Sequence, residues 1–176
     1  MTLLSLNGTV AGEWTALAAD ETTTAGASVA VPLARFTEES EAFFADAGSV
    51  GVILGTDTDY NDLAPLVNKL AFVVIDFPAF TDGRGFSIAV RLRKDLGFNG
   101  EIRATGHVIP DQATFLMRAG FDTADVAEER VAAFETALER FQLFYQTDYR
   151  GTKSVAHTRH TARASEGTIQ GARKAS

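Results

Sequence analysis

The sequence contains no cysteine. This removes disulfides, iron–sulfur ligation by this chain, thiolate haem ligation and thiol redox chemistry, and it fits a reducing compartment. Histidine is nearly as scarce: there are three, and only His107 lies before the C-terminal stretch. No zinc-ligand spacing results, and metal is not expected. No apolar run approaches the roughly 20 residues needed to cross a bilayer. Residues 1–6 have neither the basic start nor the apolar core of an export signal. A cytoplasmic protein without membrane contact is the expectation. Walker-type loops and nucleophile elbows are missing too. The glycine pair Gly83 and Gly85 lacks the third glycine and the downstream acid of a dinucleotide fingerprint, so no motif implies a bound cofactor. Any redox work would need a borrowed one.

What is present reads as an ordinary globular chain of 176 residues, 45% hydrophobic and 22% charged, long enough for one sizeable core. The net charge of −7 is unevenly placed. From Gly151 onward Lys153, Arg159, Arg163, Arg173 and Lys174 face a single Glu166, so the rest of the chain is more acidic than the total suggests. An acidic body argues against a nucleic-acid partner. The expected layout is an N-terminal β-hairpin over 1–26, one α/β domain over 27–148 and a flexible basic tail over 149–176. The tail reads either as a docking arm for an acidic partner or, preferably, as a solvated end without a specific role. His157 and His160 fall in it, which speaks against a metal site there.

Asn7-Gly8 is a hairpin signal, with Leu4 and Leu6 before it, Val10 after it and Trp14 closing it on the body. The chain then alternates. Residues 29–33 read as a short strand, with Pro32 marking an edge. Thr37 is the expected cap of a helix carrying Phe43 and Phe44. Residues 50–54 lack polar side chains, as in a strand covered on both faces. Leu63, Leu66, Val67 and Leu70 recur at helical spacing. Residues 71–77 form an unbroken β-forming run. A helix over 85–96, a strand over 101–108, a helix from Pro110 to Gly120, a weaker strand over 121–126 and a last helix with a stripe at Val131, Phe134, Leu138 and Phe141 complete the order. Five strands alternating with five helices imply a parallel sheet, either partial TIM-barrel-like or open Rossmann-like, with the late units favouring the curled form. In both, ligands sit beyond the carboxyl ends of the strands.

The densest group of polar residues lies there, after residue 77. The turn Asp82-Gly83-Arg84-Gly85 precedes a helix and can aim N–H groups at an anion. Arg84, Ser87 and Arg91 are three and four apart, on one helix face. Arg103 leaves the next strand and is expected to join them, since guanidinium groups hold phosphate, sulfate or carboxylate bidentately. The alternative is that the glycines serve a tight turn and the arginines pair with Asp82, Asp95 or Glu101. Asp76, at the end of a buried strand, and Asp82 are the candidate catalytic acid/base pair, although Asp76 reads slightly better as a structural cap for the loop beyond Pro78. His107, oriented by Asp111, is an auxiliary candidate base.

The run Phe77-Pro78-Ala79-Phe80-Thr81-Asp82-Gly83-Arg84-Gly85-Phe86-Ser87, followed by Ala89, Leu92-Arg93, residues 100–106, Asp111-Gln112 and Gly120-Phe121-Asp122, resembles an uncharacterised bacterial family, domain of unknown function 934. That family is labelled an oxidoreductase involved in sulfite reduction. The resemblance covers residues 29–146. It implies a place in assimilatory sulfur metabolism beside sulfite reductase, and it is compatible with an arginine-lined pocket, sulfite and sulfate being oxyanions. In that family an acidic residue is common where His107 stands, which weighs against an obligatory base. Three readings stand at this point. One is an accessory protein of sulfite reduction. Another is a stand-alone enzyme on a phosphorylated or sulfonated small molecule. The last is a non-catalytic interaction domain.

Overall fold

Runs of β-branched and aromatic residues alternating with amphipathic stripes build one curled, mostly parallel sheet with helices against one side. The computed structural model describes residues 1–8, 12–17, 21–141, 143–152 and 154–157. Among the described residues there are seven strands: β1 (Thr2–Ser5), β2 (Thr15–Ala16), β3 (Ser28–Pro32), β4 (Ser49–Gly55), β5 (Phe72–Phe77), β6 (Glu101–Gly106) and β7 (Thr123–Val126). Their order in space is β1-β7-β6-β5-β4-β3-β2. From β3 to β7 each strand lies parallel beside its predecessor. This order never reverses, so the switch point of a doubly wound sheet does not exist. The sheet curls into a half-barrel.

The expected five strands become seven because the N-terminal segment supplies both edges. β1 runs antiparallel to β7, with Leu4 opposite Ala124. β2 runs parallel to β3 at the far edge, through Thr15 and Ala16 alone. Among the described residues β1 and β2 therefore do not pair with each other as the expected hairpin. Asn7-Gly8 does bend the chain, with Gly8 at φ 84. The bend leads away from β1, whose ladder partner is β7. Val10 lies outside the described residues. Pro32 sits beyond the two residues of β3 that β2 pairs, so its missing N–H costs no ladder bond there.

Alternation divides the sheet residues into two faces. Val29, Val31, Val52, Leu54, Val73, Ile75, Ile102 and Ala104 belong to the main core. They share it with Phe36 and Phe43 of α1 (Leu33–Asp46), Ile88, Ala89 and Leu92 of α2 (Arg84–Lys94), Leu116 of α3 (Ala113–Ala119) and Phe134 of α4 (Val131–Glu139). The other, concave face holds a small second cluster, Ala30, Phe72 and Val74, against Trp14 and Ile53.

Helix positions depart from expectation where backbone chemistry overrides the stripe. Residues 60–70 form two 3₁₀ turns, Tyr60–Leu63 and Val67–Lys69, instead of an α-helix. Pro65 between them has no N–H to donate and crowds the preceding turn. α1 begins at Leu33, so Thr37 is not its cap; its hydroxyl donates to the Ala34 carbonyl at 2.8 Å, and the helix kinks at Glu39. α3 follows a 3₁₀ turn opened by Pro110 and stops at Gly120, whose φ of 110 is left-handed. α4 ends at Glu139, which leaves Phe141 off the stripe and exposed. Packing also continues past residue 148. Tyr149 touches Arg93 and Gly120, and Ser154 is buried. Residues 158–176 of the expected tail, His160 among them, lie outside the described residues.

Candidate functional site

At the carboxyl ends of β4 and β5 the chain turns onto α2, and the turn Asp82-Gly83-Arg84-Gly85 already holds an oxyanion, its own. The Asp82 carboxylate accepts hydrogen bonds from Thr56 Oγ1 at 2.6 Å, from Arg84 Nε at 2.9 Å and Nη2 at 2.7 Å, and from the Arg84 backbone N–H at 3.2 Å. The Arg84 side chain, followed by the Thr56 hydroxyl, holds the Asp82 carboxyl well below the usual carboxylate range. In return Asp82 raises the Arg84 guanidinium further above its ordinary value. A carboxylate so firmly ionised accepts hydrogen bonds well and donates a proton poorly, which counts against Asp82 as a general acid.

The two glycines of the turn have different reasons. A Cβ on Gly85 would stand 2.6 Å from the Phe77 ring and 3.1 Å from Ile75 Cγ2, so this glycine lets α2 lie directly on β5. A Cβ on Gly83 would meet nothing closer than 4.0 Å, and its φ of −78 is open to any residue. Neither glycine is required by anion binding.

One turn further along α2 the expected grouping is present. Arg84, Ser87 and Arg91 line a single open cleft of about 270 Å³, facing Thr58, Asp59 and Tyr60 of the loop after β4. Arg91 lies over the Tyr60 ring at 5.4 Å and donates from Nη1 to its hydroxyl at 3.3 Å, the chief cause of its raised pKa. The Tyr60 hydroxyl in turn donates to Asp95 at 3.2 Å. Asp59 is occupied locally, accepting from Asn61 N at 2.9 Å and Nδ2 at 2.8 Å. Thr56 and Tyr60 were not singled out from sequence. The available signal was Thr56 directly after the buried strand β4 and Tyr60 at the close of the polar loop that follows it.

The other candidates stand apart. Arg103 is not on this rim. It is buried on the concave face, donating to Glu101 at 2.8 and 2.9 Å and to the Gly12 carbonyl at 2.7 Å, with its guanidinium 4.9 Å from the Trp14 ring. Its register explains this: Arg103 pairs with Val74, a concave-face residue. Asp76 shares that face and accepts from Thr105 Oγ1 at 3.0 Å, whereas Asp82 is tied to Thr56 and α2. Among the described residues the two carboxylates have no hydrogen-bond partner in common. His107 is exposed, and its backbone N–H donates to the Phe77 carbonyl at 2.8 Å. Among the described residues its ring makes no hydrogen bond, so Asp111, exposed in the turn after Pro110, does not orient it. Among the described residues no group of three or more histidine or acidic side chains is placed to hold a metal ion.

The Arg103–Glu101 pairing was among the readings the sequence allowed, while the cluster around it and a second one around Arg93 were not legible there. On the concave face, Glu101 also accepts from Thr123 at 2.6 Å. Beside it, Asp125 has a raised pKa, mainly because it is desolvated; Arg103 opposes the shift and Glu101 adds to it. Beneath the sheet, Arg93 donates to the carbonyls of Phe98, Gly100 and Gly120 at 2.7–3.0 Å and to the Asp122 carboxylate at 2.5 Å. Asp122 in turn accepts from Ile102 N at 2.9 Å and from Asn7 Nδ2 at 2.8 Å. This second cluster is a structural staple, closed off from ligands by its own satisfaction.

No curated protein matches the sequence. The family description "Bacterial protein of unknown function (DUF934)" matches residues 51–156, a stretch running from β4 through the α2 turn to the segment beyond Tyr149. That is more than half of the chain, and the chain belongs to this family.

Proposed function

We propose that the protein is an accessory component of assimilatory sulfite reduction that takes a small oxyanion in the α2 cleft, with Arg91 and Ser87 as its first contacts. The carrying observation is the convergence of Arg84, Ser87 and Arg91 on one cleft in which Arg91 is held by a phenol instead of a carboxylate. Arg84 is neutralised by Asp82, so it shapes the wall and leaves the larger share of attraction to Arg91. Tyr60, stacked on that guanidinium, fixes its plane, and a planar donor fork suits a tetrahedral or pyramidal oxyanion. The link to sulfite reduction rests on the family resemblance in the sequence. With no cysteine in the chain, the cluster of a reductase would belong to a partner.

The test combines thermal-shift titration with sulfite, sulfate and phosphate and co-purification with sulfite reductase from native lysate. A ligand at about 100 to 1,000 times its Kd should stabilise the fold by roughly 3–4 kcal/mol. Arg91→Ala should abolish the shift and Arg84→Ala should weaken it less. Absence of a shift with every oxyanion would remove the cleft from the reading. Failure to co-purify, with unchanged growth on sulfate after deletion, would remove the pathway.

A further inference from the structure

A second groove lies away from the α2 cleft. It runs between α2 and α3, has a volume of about 520 Å³, and is walled on its open side by residues 146–149. Phe86, Val90 and Lys94 line it from α2 at four-residue intervals, one face of the helix. Phe115 and Arg118 line it from α3. The segment opposite is tied down rather than loosely laid. Tyr149 N donates to the Arg118 carbonyl at 3.3 Å, Arg118 Nη2 donates to the Gln146 carbonyl at 2.6 Å, and the Arg118 guanidinium stacks 4.0 Å from the Phe144 ring.

Two features point to an occupant. Phe115 is 66% exposed although it borders an apolar floor, a poor place for an aromatic ring with nothing to cover it. The charge balance is positive as well. Asp148 is the acid of the groove, and it is spent on its own turn. Its Oδ1 accepts from Arg150 N and Thr152 N at 2.9 Å each, and its Oδ2 accepts from Thr152 Oγ1 at 2.7 Å. Burial works to raise its pKa, but these bonds and the nearby Arg118 outweigh that and hold it lowered, hence ionised. Lys94, by contrast, is exposed and has no hydrogen-bond or ion-pair partner among the described residues.

We infer that the α2–α3 groove binds a small organic acid with a flat apolar body, its ring against Phe86, Val90 and Phe115 and its carboxylate or sulfonate at Lys94. The volume is that of a small-molecule site, and apolar walls with one or two convergent charges are the usual make-up of such sites. Apolar contact supplies most of the affinity, and the lysine supplies sign and direction. The site is independent of the α2 cleft, since Ser87 and Arg91 do not line it.

Calorimetric titration of the full chain with naphthalene-2-sulfonate, paired with 2-naphthylmethanol as the uncharged analogue, tests this. The expected result is saturable one-to-one binding of the sulfonate, with the alcohol weaker by about tenfold. Phe115→Ala should weaken the sulfonate by about tenfold through lost apolar contact. Lys94→Gln should weaken the sulfonate and leave the alcohol unchanged. Arg91→Ala should alter neither, which separates this site from the oxyanion cleft. Lys94 and Phe115 are both exposed, so the variants are expected to fold, as a thermal melt will verify. Equal binding of sulfonate and alcohol, indifference to Phe115→Ala, or no saturation at millimolar probe overturns the inference. So does saturation by an acidic aromatic peptide when the naphthalene probe fails, because the groove is then a protein-docking surface.

Discussion

Asp82 and Arg84 show at the residue scale how a binding motif can be satisfied from within. A turn that presents N–H and guanidinium donors to an anion is filled by the carboxylate two residues away. The sequence displayed all the components, and their pairing was one of the two readings they allowed; only geometry could choose. The consequence is a pH dependence of stability. The folded pKa of Asp82 lies below its ordinary 3.8, so the group contributes stability above that pH and loses it as pH falls through the folded value. Urea midpoints should therefore separate the native protein from Asp82→Asn at pH 6, with the gap narrowing towards pH 2. A constant gap across that range would mean that the pairing carries no net ionic stabilisation. The glycines divide just as sharply. Gly85→Ala forces a methyl into the Phe77 ring and should cost about 1–3 kcal/mol by overpacking. Gly83→Ala meets open space and should stay within about 1 kcal/mol of the parent in the same denaturation experiment.

At the scale of elements, β4, β5 and α2 were legible because their signals were redundant. Periodicity, β-branching or flanking glycine and proline agreed for the expected strands over 50–54 and 71–77 and the expected helix over 85–96. Residues 60–70 misled because the stripe was helical while Pro65 was not, and a backbone constraint outranks side-chain spacing. The candidate site was legible only along α2. Ser87 and Arg91 follow from helical phase, but Arg103 went to the opposite face because strand register is a long-range property that no local window contains. The Arg93–Asp122 staple was hidden for the same reason, since its partners come from α2, the start of β6, the loop before β7 and the N-terminal bend. Breaking it on one side should be expensive. Arg93→Ala leaves a buried Asp122 without its cation and three carbonyls without donors, at a cost of about 3–5 kcal/mol. Chemical denaturation should show the loss. If Arg93→Ala unfolds the chain outright, Arg93→Lys, which keeps the charge but not the fork, should fold with an intermediate midpoint.

On the scale of the whole molecule, the half-barrel leaves two edges and one uncovered face, and the N-terminal segment answers both needs. It begins as β1 on one edge, bends at Asn7-Gly8, and reappears as β2 on the other. Between them the Gly12 carbonyl accepts from Arg103, and Trp14 lies on the concave face, stacked on Phe72 with centroids 5.6 Å apart and 18° between planes. The ring covers the small cluster of Ala30, Phe72 and Val74 and shields the Arg103–Glu101 pair beneath it. Its indole N–H is buried without a hydrogen-bond acceptor among the described residues. The strap is thus held by ring contact, cation–π attraction, the Arg103 bond to the Gly12 carbonyl and a short stretch of ladder to β3. Trp14→Ala should lose about 2–3 kcal/mol, less than a fully enclosed tryptophan would. A double-mutant cycle with Phe72→Ala should return a coupling of about 0.5–1.5 kcal/mol, the range for stacked rings beyond simple burial. Protection of the Leu17 amide, which bonds the Ala30 carbonyl at 2.9 Å, should fall in Trp14→Ala by a larger factor than that of the central β5 amides. Equal loss at both positions would show that the strap has no opening of its own and unfolds only with the sheet.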